Sequence, residues 1–180
     1  MTTDSVQRFD RVAILLHWLM ALAIIGLWVV GHLIDVVPKG PSRSDVIFMH
    51  KSVGVIILVL AVARLAWRLT RQHPALPAAM PAWEQLLARL GHWALYGLML
   101  AMPADGILMS QSGGREVSVF GLVLPNLLGK DEGLNHLFKE GHELLGWVLA
   151  VVVIGHAAAA LRHHFILKDN VLTRMLPSRG

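Results

Sequence analysis

The sequence contains no cysteine, a single tyrosine and few charged residues. Without cysteine, the chain can form neither disulfide bonds nor thiolate-ligated iron–sulfur clusters, and it lacks the C-x-x-C-H motif for covalent haem attachment. Charged residues make up 16% of the 180 residues, whereas soluble domains contain about 25%. The hydrophobic fraction is 55% and the mean hydropathy is +0.57. These values predict a membrane protein.

Four apolar stretches have about the length needed to cross a bilayer. They cover about residues 12–34, 46–69, 86–109 and 141–162. The first is too long for the hydrophobic region of a signal peptide, so it is interpreted as a membrane span. We therefore expect an all-α integral membrane four-helix bundle, with residues 1–180 forming one transmembrane domain.

The longest connection lies between the third and fourth stretches, over residues 110–140. Its apolar part, "VSVFGLVLP", is expected to lie on the membrane surface or to cap the bundle. Its later part, "DEGLNHLFKEGHELLG", has helical spacing. This later part is therefore expected to extend the fourth helix.

Basic residues are distributed unequally between the two ends of the bundle. The end that carries both termini has ten Lys and Arg residues, against six at the opposite end. Because cytoplasmic loops of membrane proteins are enriched in Lys and Arg, both termini are predicted to be cytoplasmic. The net charge of +4 follows from this topology, so it gives no reason to expect a nucleic-acid partner.

Four of the ten histidines lie in or beside the apolar stretches at matching depths. His142 and His156 are fourteen residues apart, so on a helix they face nearly the same way, about 21 Å apart along the axis. His17 in the first stretch matches the depth of His156, and His50 in the second matches that of His142. Ionisable side chains inside a membrane are costly and usually functional. The spacing predicts two pairs, His17 with His156 and His50 with His142.

Paired imidazoles on facing helices suit the iron of a b-type haem. Two histidines on opposite sides of the iron complete its coordination, so such a haem transfers electrons and does not bind dioxygen. Glycine follows both His50 and His142 by four residues, at Gly54 and Gly146. These positions lie on the same helix face as the histidines and would leave room for a porphyrin edge. The sequence thus predicts two haem b groups stacked through the membrane.

Two other histidines leave alternatives open. His32 lies fifteen residues after His17, so it faces broadly the same way and could replace His50 as the partner of His142. Spacing alone does not decide between them. His92, near one end of the third stretch, is expected either to hydrogen-bond a neighbouring helix or to line the inner cofactor.

His163 and His164 follow the fourth stretch, about two turns beyond His156. One interpretation of this basic segment is anchoring at the cytoplasmic surface by Arg162 and Lys168. The other is a quinone pocket, because a quinone that takes up two electrons must also take up two protons, and histidine can deliver protons at neutral pH. On this second interpretation, His163 and His164 are catalytic residues for quinone protonation.

Several of these segments resemble the bacterial cytochrome b561 family. They are "LLHW" around His17, "FMHKSVG" around His50, "ARLGHWALYGLMLAMPADG" in the third stretch, "KEGHELLGWV" around His142 and "IGHAAAALRHHFILKDNVLTRMLP" at the end. The resemblance covers nearly the whole chain. It implies a bacterial inner-membrane protein with two haem b groups, whose ligands match His17, His50, His142 and His156. It therefore favours His50 over His32.

The resemblance also implies a function. Family members transfer electrons between a donor at one membrane surface and the quinone pool, as superoxide:quinone oxidoreductases or as respiratory electron carriers. We therefore expect an oxidoreductase whose partners are membrane lipid, quinone and an electron donor that the sequence does not identify. The alternative is a haem b subunit that anchors a dehydrogenase or hydrogenase and relays its electrons, whereas a non-redox membrane protein would bind no haem.

Asp105 departs from the family pattern. The resemblance implies an apolar residue just before the glycine of the third stretch.

Overall fold

Four long helices make up most of the computed structural model, which describes residues 8–72, 74–77 and 80–177. The helices are Arg11–Leu33 (α1), Pro41–Thr70 (α2), Ala82–Ser112 (α3) and Glu132–Arg162 (α4). Each one is long and apolar enough to cross a membrane, because a bilayer core needs about 20 helical residues. The prediction of an all-α integral membrane four-helix bundle is confirmed.

Three of the helices extend beyond the predicted spans. α2 begins with Pro41. Proline lacks a backbone N–H, but the N–H at the first position of a helix has no partner within the helix, so no hydrogen bond is lost there. α4 begins at Glu132, where the Asp131 carboxylate accepts a hydrogen bond from the Leu134 N–H at 2.9 Å and so caps the helix. The segment before the fourth span therefore belongs to α4, as its helical spacing predicted, and the connection from α3 shortens to residues 113–131.

The connection between α3 and α4 folds against α2. It contains a short antiparallel hairpin of Ser118–Val119 (β1) and Leu122–Val123 (β2), which the sequence did not predict. The Ser52 hydroxyl on α2 donates a hydrogen bond to the Ser118 carbonyl at 3.0 Å, and Val117 is buried. The segment therefore caps the bundle, which was one of the two positions expected for it.

The helices pack in chain order around a small core. α1 packs against α2, α2 against α3 and α3 against α4, whereas the backbones of α1 and α4 approach each other little. The core consists of Met20, Ile57, Ala61, Tyr96 and Met99. Many large apolar side chains are exposed on the outside of the bundle, where lipid tails are as apolar as they are. The core lies between the terminal end of the bundle, where α1 begins and α4 ends, and the hairpin end, which carries β1 and β2.

Asp10 connects the start of α1 to the end of α2. Its carboxylate accepts hydrogen bonds from the Ala13 N–H at 2.9 Å and from the Trp67 indole N–H at 3.1 Å. Partial burial acts to raise the pKa of Asp10, but the hydrogen bonds outweigh it and lower the pKa below its ordinary value. Asp10 is therefore both the N-cap of α1 and a link between two helices.

Replacing Asp10 with alanine is expected to lower the free energy of unfolding by about 1–2 kcal/mol, because the cap and the bond to Trp67 are both lost. Thermal unfolding in detergent measures this loss. Asp10→Asn keeps a capping oxygen and is expected to lose less. Because the pKa of Asp10 is lowered in the folded chain, its contribution is present above the unfolded pKa and disappears as the pH falls through the folded one. Equal stability of the Ala variant and the unchanged chain at neutral pH would contradict this role.

Candidate functional site

Three histidines meet at the terminal end of the bundle. The ring centroids of His17 on α1 and His156 on α4 are 6.1 Å apart, and the ring centroid of His92 on α3 is 5.5 Å from that of His156. All three residues are half-buried. The predicted partners His17 and His156 are thus brought together across the space between α1 and α4. We call this cluster the terminal site.

A second histidine pair lies at the hairpin end. The ring centroids of His50 on α2 and His142 on α4 are 6.3 Å apart. Each ring lies close to a glycine of a neighbouring helix: a Cβ atom on Gly31 would be 3.3 Å from His50 Cε1, and one on Gly106 would be 2.9 Å from His142 Cε1. A larger residue at Gly106 would therefore displace the imidazole. We call this pair the hairpin site.

The spacing of both pairs fits an iron atom between the imidazoles. A metal-bound imidazole nitrogen lies about 2 Å from the metal and the ring centroid about 1 Å farther out, so two imidazoles on opposite sides of one metal have centroids about 6 Å apart. The separations of 6.1 Å and 6.3 Å agree with this distance. In addition, Nδ1 of His50 is buried without a hydrogen-bond partner within the described residues. The part of the chain that the structure describes therefore leaves the His50 imidazole of the hairpin site unsatisfied.

His32 lies in different surroundings from His50. Its ring centroid is 4.1 Å from that of Trp28 and 5.0 Å from that of Trp147. Its Nδ1 is 2.9 Å from the Trp28 carbonyl oxygen, to which it donates a hydrogen bond. The structure thus places His32 against two tryptophans and places His50 opposite His142.

The two glycines that follow the paired histidines have different environments. A Cβ atom on Gly54 would meet no atom within 4 Å, so there is open space beside α2 at this point. Gly146 is buried, and a Cβ there would lie 3.4 Å from Met102 Cε. The Gly146 carbonyl also accepts a hydrogen bond from the Trp28 indole at 3.1 Å. Gly54 therefore borders free space, whereas Gly146 leaves room for side chains of α1 and α3 to contact α4.

A family model covers almost the whole chain. The model described as prokaryotic cytochrome b561 matches residues 8–178. The chain belongs to the prokaryotic cytochrome b561 family. It is therefore a membrane b-type cytochrome that binds haem and transfers electrons, and its four apolar helices make it a multi-pass protein of the bacterial inner membrane.

Similar proteins carry several names. "Cytochrome b561 homolog 2" of Escherichia coli (strain K12) is 34% identical, over 97% of this chain and 94% of the relative. "Probable superoxide oxidase CybB" of Yersinia pestis is 32% identical, over 96% of this chain and 98% of the relative. "Probable Ni/Fe-hydrogenase B-type cytochrome subunit" of Azotobacter vinelandii is 23% identical, over 96% and 87%. These names include an oxidase and a hydrogenase subunit, so family membership leaves the electron donor of this cytochrome b561 open.

His163 lies in a charged cluster at the terminal end of the cytochrome. It begins a five-residue π-helical turn, His163–Leu167, and such turns are rare and frequent at functional sites. Its buried ring has Nδ1 2.5 Å from Asp169 Oδ2 and Nε2 3.6 Å from Glu84 Oε1. Glu84 also accepts a hydrogen bond from Arg162 at 2.5 Å. A carboxylate thus faces each ring nitrogen of His163, an arrangement that can hold and pass a proton.

Sequence reasoning identified His163 and His164 but missed the carboxylates of this cluster. Glu84 lies at the start of α3, and only the packing of α3 against α4 brings it to His163. Asp169 is six residues after His163. Its place in "LKDN", within the C-terminal segment that resembles the family, was the sequence feature that could have suggested a role beside His163. His164 is half-buried, and its ring centroid is 4.7 Å from that of Phe165.

Arginine side chains lie on one side of the terminal site. The Arg64 guanidinium donates a hydrogen bond to His17 Nδ1 at 2.9 Å. The guanidinium carbons of Arg64 and Arg68 lie 5.9 Å and 5.6 Å from the ring centroid of Tyr96, within the range of cation–π attraction. With Arg71 and the Asp10 carboxylate, these arginines line a cavity of about 40 Å³. Arg64 therefore connects the terminal site to a neighbouring cavity that carries both basic and acidic groups.

Proposed function

We propose that this cytochrome b561 holds two haem b groups, with His17 and His156 as axial ligands at the terminal site and His50 and His142 at the hairpin site. The strongest support is the presence of two histidine pairs, each joining different helices, at two depths on one face of α4. A bound haem supplies one-electron chemistry. With two imidazole ligands, it has no open position for dioxygen.

Arg64 and Arg68 are the proposed partners of the haem carboxylates at the terminal site. When His17 binds iron through Nε2, its Nδ1 carries the hydrogen and cannot accept a hydrogen bond from Arg64. The Arg64 guanidinium is then available for a carboxylate, which arginine binds with two parallel hydrogen bonds. At the hairpin site, the open space beside Gly54 leaves room for a porphyrin edge.

The proposed reaction moves electrons from a one-electron donor at the hairpin end to quinone at the terminal end. The excess of basic residues at the terminal end supports its placement in the cytoplasm, because cytoplasmic loops are rich in Lys and Arg. Superoxide is the proposed donor, supported by the name of the Yersinia pestis relative. Two superoxide anions lose one electron each and leave as dioxygen, and one quinone gains two electrons and two protons to become quinol. His163, with His164 beside it, is the proposed proton donor.

The haem content of the detergent-purified chain tests this proposal. A haem-to-protein ratio of about two, with the reduced-minus-oxidised bands of a low-spin b-type cytochrome, is the expected result. Superoxide generated in solution is then expected to reduce the haem, and added quinone to reoxidise it. A ratio of about one would rule out one of the two histidine pairs as haem ligands. Protein without haem, purified from cells that make haem, would refute the proposal.

The alternative function is a haem b subunit that relays the electrons of a partner enzyme. The similarity to the hydrogenase cytochrome subunit of Azotobacter vinelandii supports it. The two functions differ in what the purified chain does alone. Quinone reduction by the isolated chain with a soluble one-electron donor supports the oxidoreductase, whereas activity that requires a co-purifying redox subunit supports the relay.

Replacing His163 with glutamine is expected to slow quinone reduction by about 10²-fold, because a positioned acid or base typically contributes at least this much. Haem content and the rate of haem reduction by the donor are expected to stay unchanged, so stopped-flow measurement of the two half-reactions locates the defect. His136→Gln is the matched control, because His136 is an exposed histidine of α4 at the hairpin end. An unchanged rate of haem reoxidation by quinone in the His163 variant would exclude this role.

A further inference from the structure

Asp105 on α3 lies against His142 at the hairpin site. Its Oδ2 atom is 3.4 Å from His142 Nδ1, and its side chain is only 15% exposed. Both atoms are buried, and neither makes another hydrogen bond among the residues that the structure describes. A carboxylate within a membrane-spanning helix is costly unless it is paired. The imidazole N–H is therefore the natural partner of this carboxylate.

Two glycines make this contact possible. A Cβ atom on Gly141 would lie 3.0 Å from Asp105 Oδ1, and a Cβ on Gly106 would lie 2.9 Å from His142 Cε1. Both distances are shorter than ordinary carbon contacts, so side chains at these positions would separate the pair. α3 and α4 thus approach closely at the point where Asp105 meets His142.

We propose that Asp105 is a positioning residue for His142. Its carboxylate accepts the hydrogen bond of His142 Nδ1–H, which fixes the tautomer that leaves Nε2 free for iron and makes the imidazole a stronger donor. This role rests on the proposed function, in which His142 is a haem ligand. A stronger ligand and a nearby carboxylate both stabilise the oxidised, more positive iron. Asp105 therefore lowers the reduction potential of the haem at the hairpin site.

The two sites then differ in electrostatic character. A carboxylate faces a histidine at the hairpin site, whereas the guanidinium groups of Arg64 and Arg68 lie beside the terminal site. Negative charge lowers a reduction potential and positive charge raises it. Electrons at equilibrium consequently favour the terminal site, which is the direction required for a donor at the hairpin end and quinone at the other.

Potentiometric titration of the haem-loaded Asp105→Asn variant tests the role of Asp105. Both haems are expected to remain bound. One of them is expected to become about tenfold easier to reduce, a rise of about 59 mV for a one-electron couple, while the other keeps its potential. Asp35→Asn is the matched control, because Asp35 is an exposed carboxylate at the same end that pairs with Arg43; no change is expected there.

Gly141→Ala provides an independent variant that leaves the carboxylate in place. The added methyl would displace Asp105 Oδ1, so a smaller rise of the same potential is expected. Unchanged potentials in both variants, with both haems bound, would overturn the role of Asp105 and leave the Met102 carbonyl, which also faces His142, as the acceptor. An equal rise of both haem potentials would overturn it too, because it would indicate a general field effect. These outcomes differ from a failure of the proposed function, because in that case the unchanged chain would bind fewer than two haems.

Discussion

Replacing His156 with alanine is expected to remove one of the two haem groups and to leave the other. His156 is the α4 ligand proposed for the terminal site, 6.1 Å from His17 between ring centroids. Without it, only His17 of the proposed pair would be left to hold a haem there. The hairpin site lies about 21 Å away along α4, so its own pair keeps its geometry. The haem-to-protein ratio is expected to fall from about two to about one, with half of the reduced-minus-oxidised amplitude.

The same helix offers a matched control. His136 is exposed and pairs with Glu140 at 3.6 Å, so His136→Ala is expected to retain both haems. If His156→Ala also retained both haems with unchanged spectra, the pairing of His17 with His156 would be wrong. His92 is the nearest substitute, 5.5 Å from His156 between ring centroids. Loss of a haem from the double variant at His92 and His156, but not from the single one, would assign the ligand role to His92.

Replacing His50 with alanine is expected to remove the other haem, whereas replacing His32 with alanine is expected to retain both. His50 lies opposite His142, with ring centroids 6.3 Å apart. His32 instead contacts the rings of Trp28 and Trp147. Removal of the His32 imidazole is therefore expected to lower thermal stability slightly, through lost packing and one hydrogen bond, without changing the haem spectrum.

Haem content and redox spectra of these two variants, measured side by side, decide between the assignments. The opposite result, with haem lost from His32→Ala and kept by His50→Ala, would assign His32 as the partner of His142. Loss of one haem from both variants would indicate that the tryptophan cluster around His32 supports the hairpin site. Thermal unfolding of each variant in detergent separates loss of haem from loss of fold.

The helices were predictable from the sequence because their signals are local. Each span is a long apolar stretch, and the start of α4 at Glu132 follows from helical spacing together with the Asp131 cap. The β1–β2 hairpin was not predictable in this way, because its strands have two residues each and depend on contacts with α2, including the bond from Ser52. The π-helical turn after α4 likewise depends on its surroundings, among them the contact of His163 with Asp169.

By itself, the sequence determined the number of membrane spans, the two depths at which histidines occur and the positions that match the cytochrome b561 motifs. These properties depend on residue type and on spacing along one helix, which the backbone geometry sets directly. Only the tertiary structure decided which histidines of different helices lie together, because His32 and His50 satisfy the same spacing. It also decided that Asp105 meets His142 and that Glu84 meets His163. Those contacts depend on how α3 packs against α4, which no single stretch of the sequence specifies.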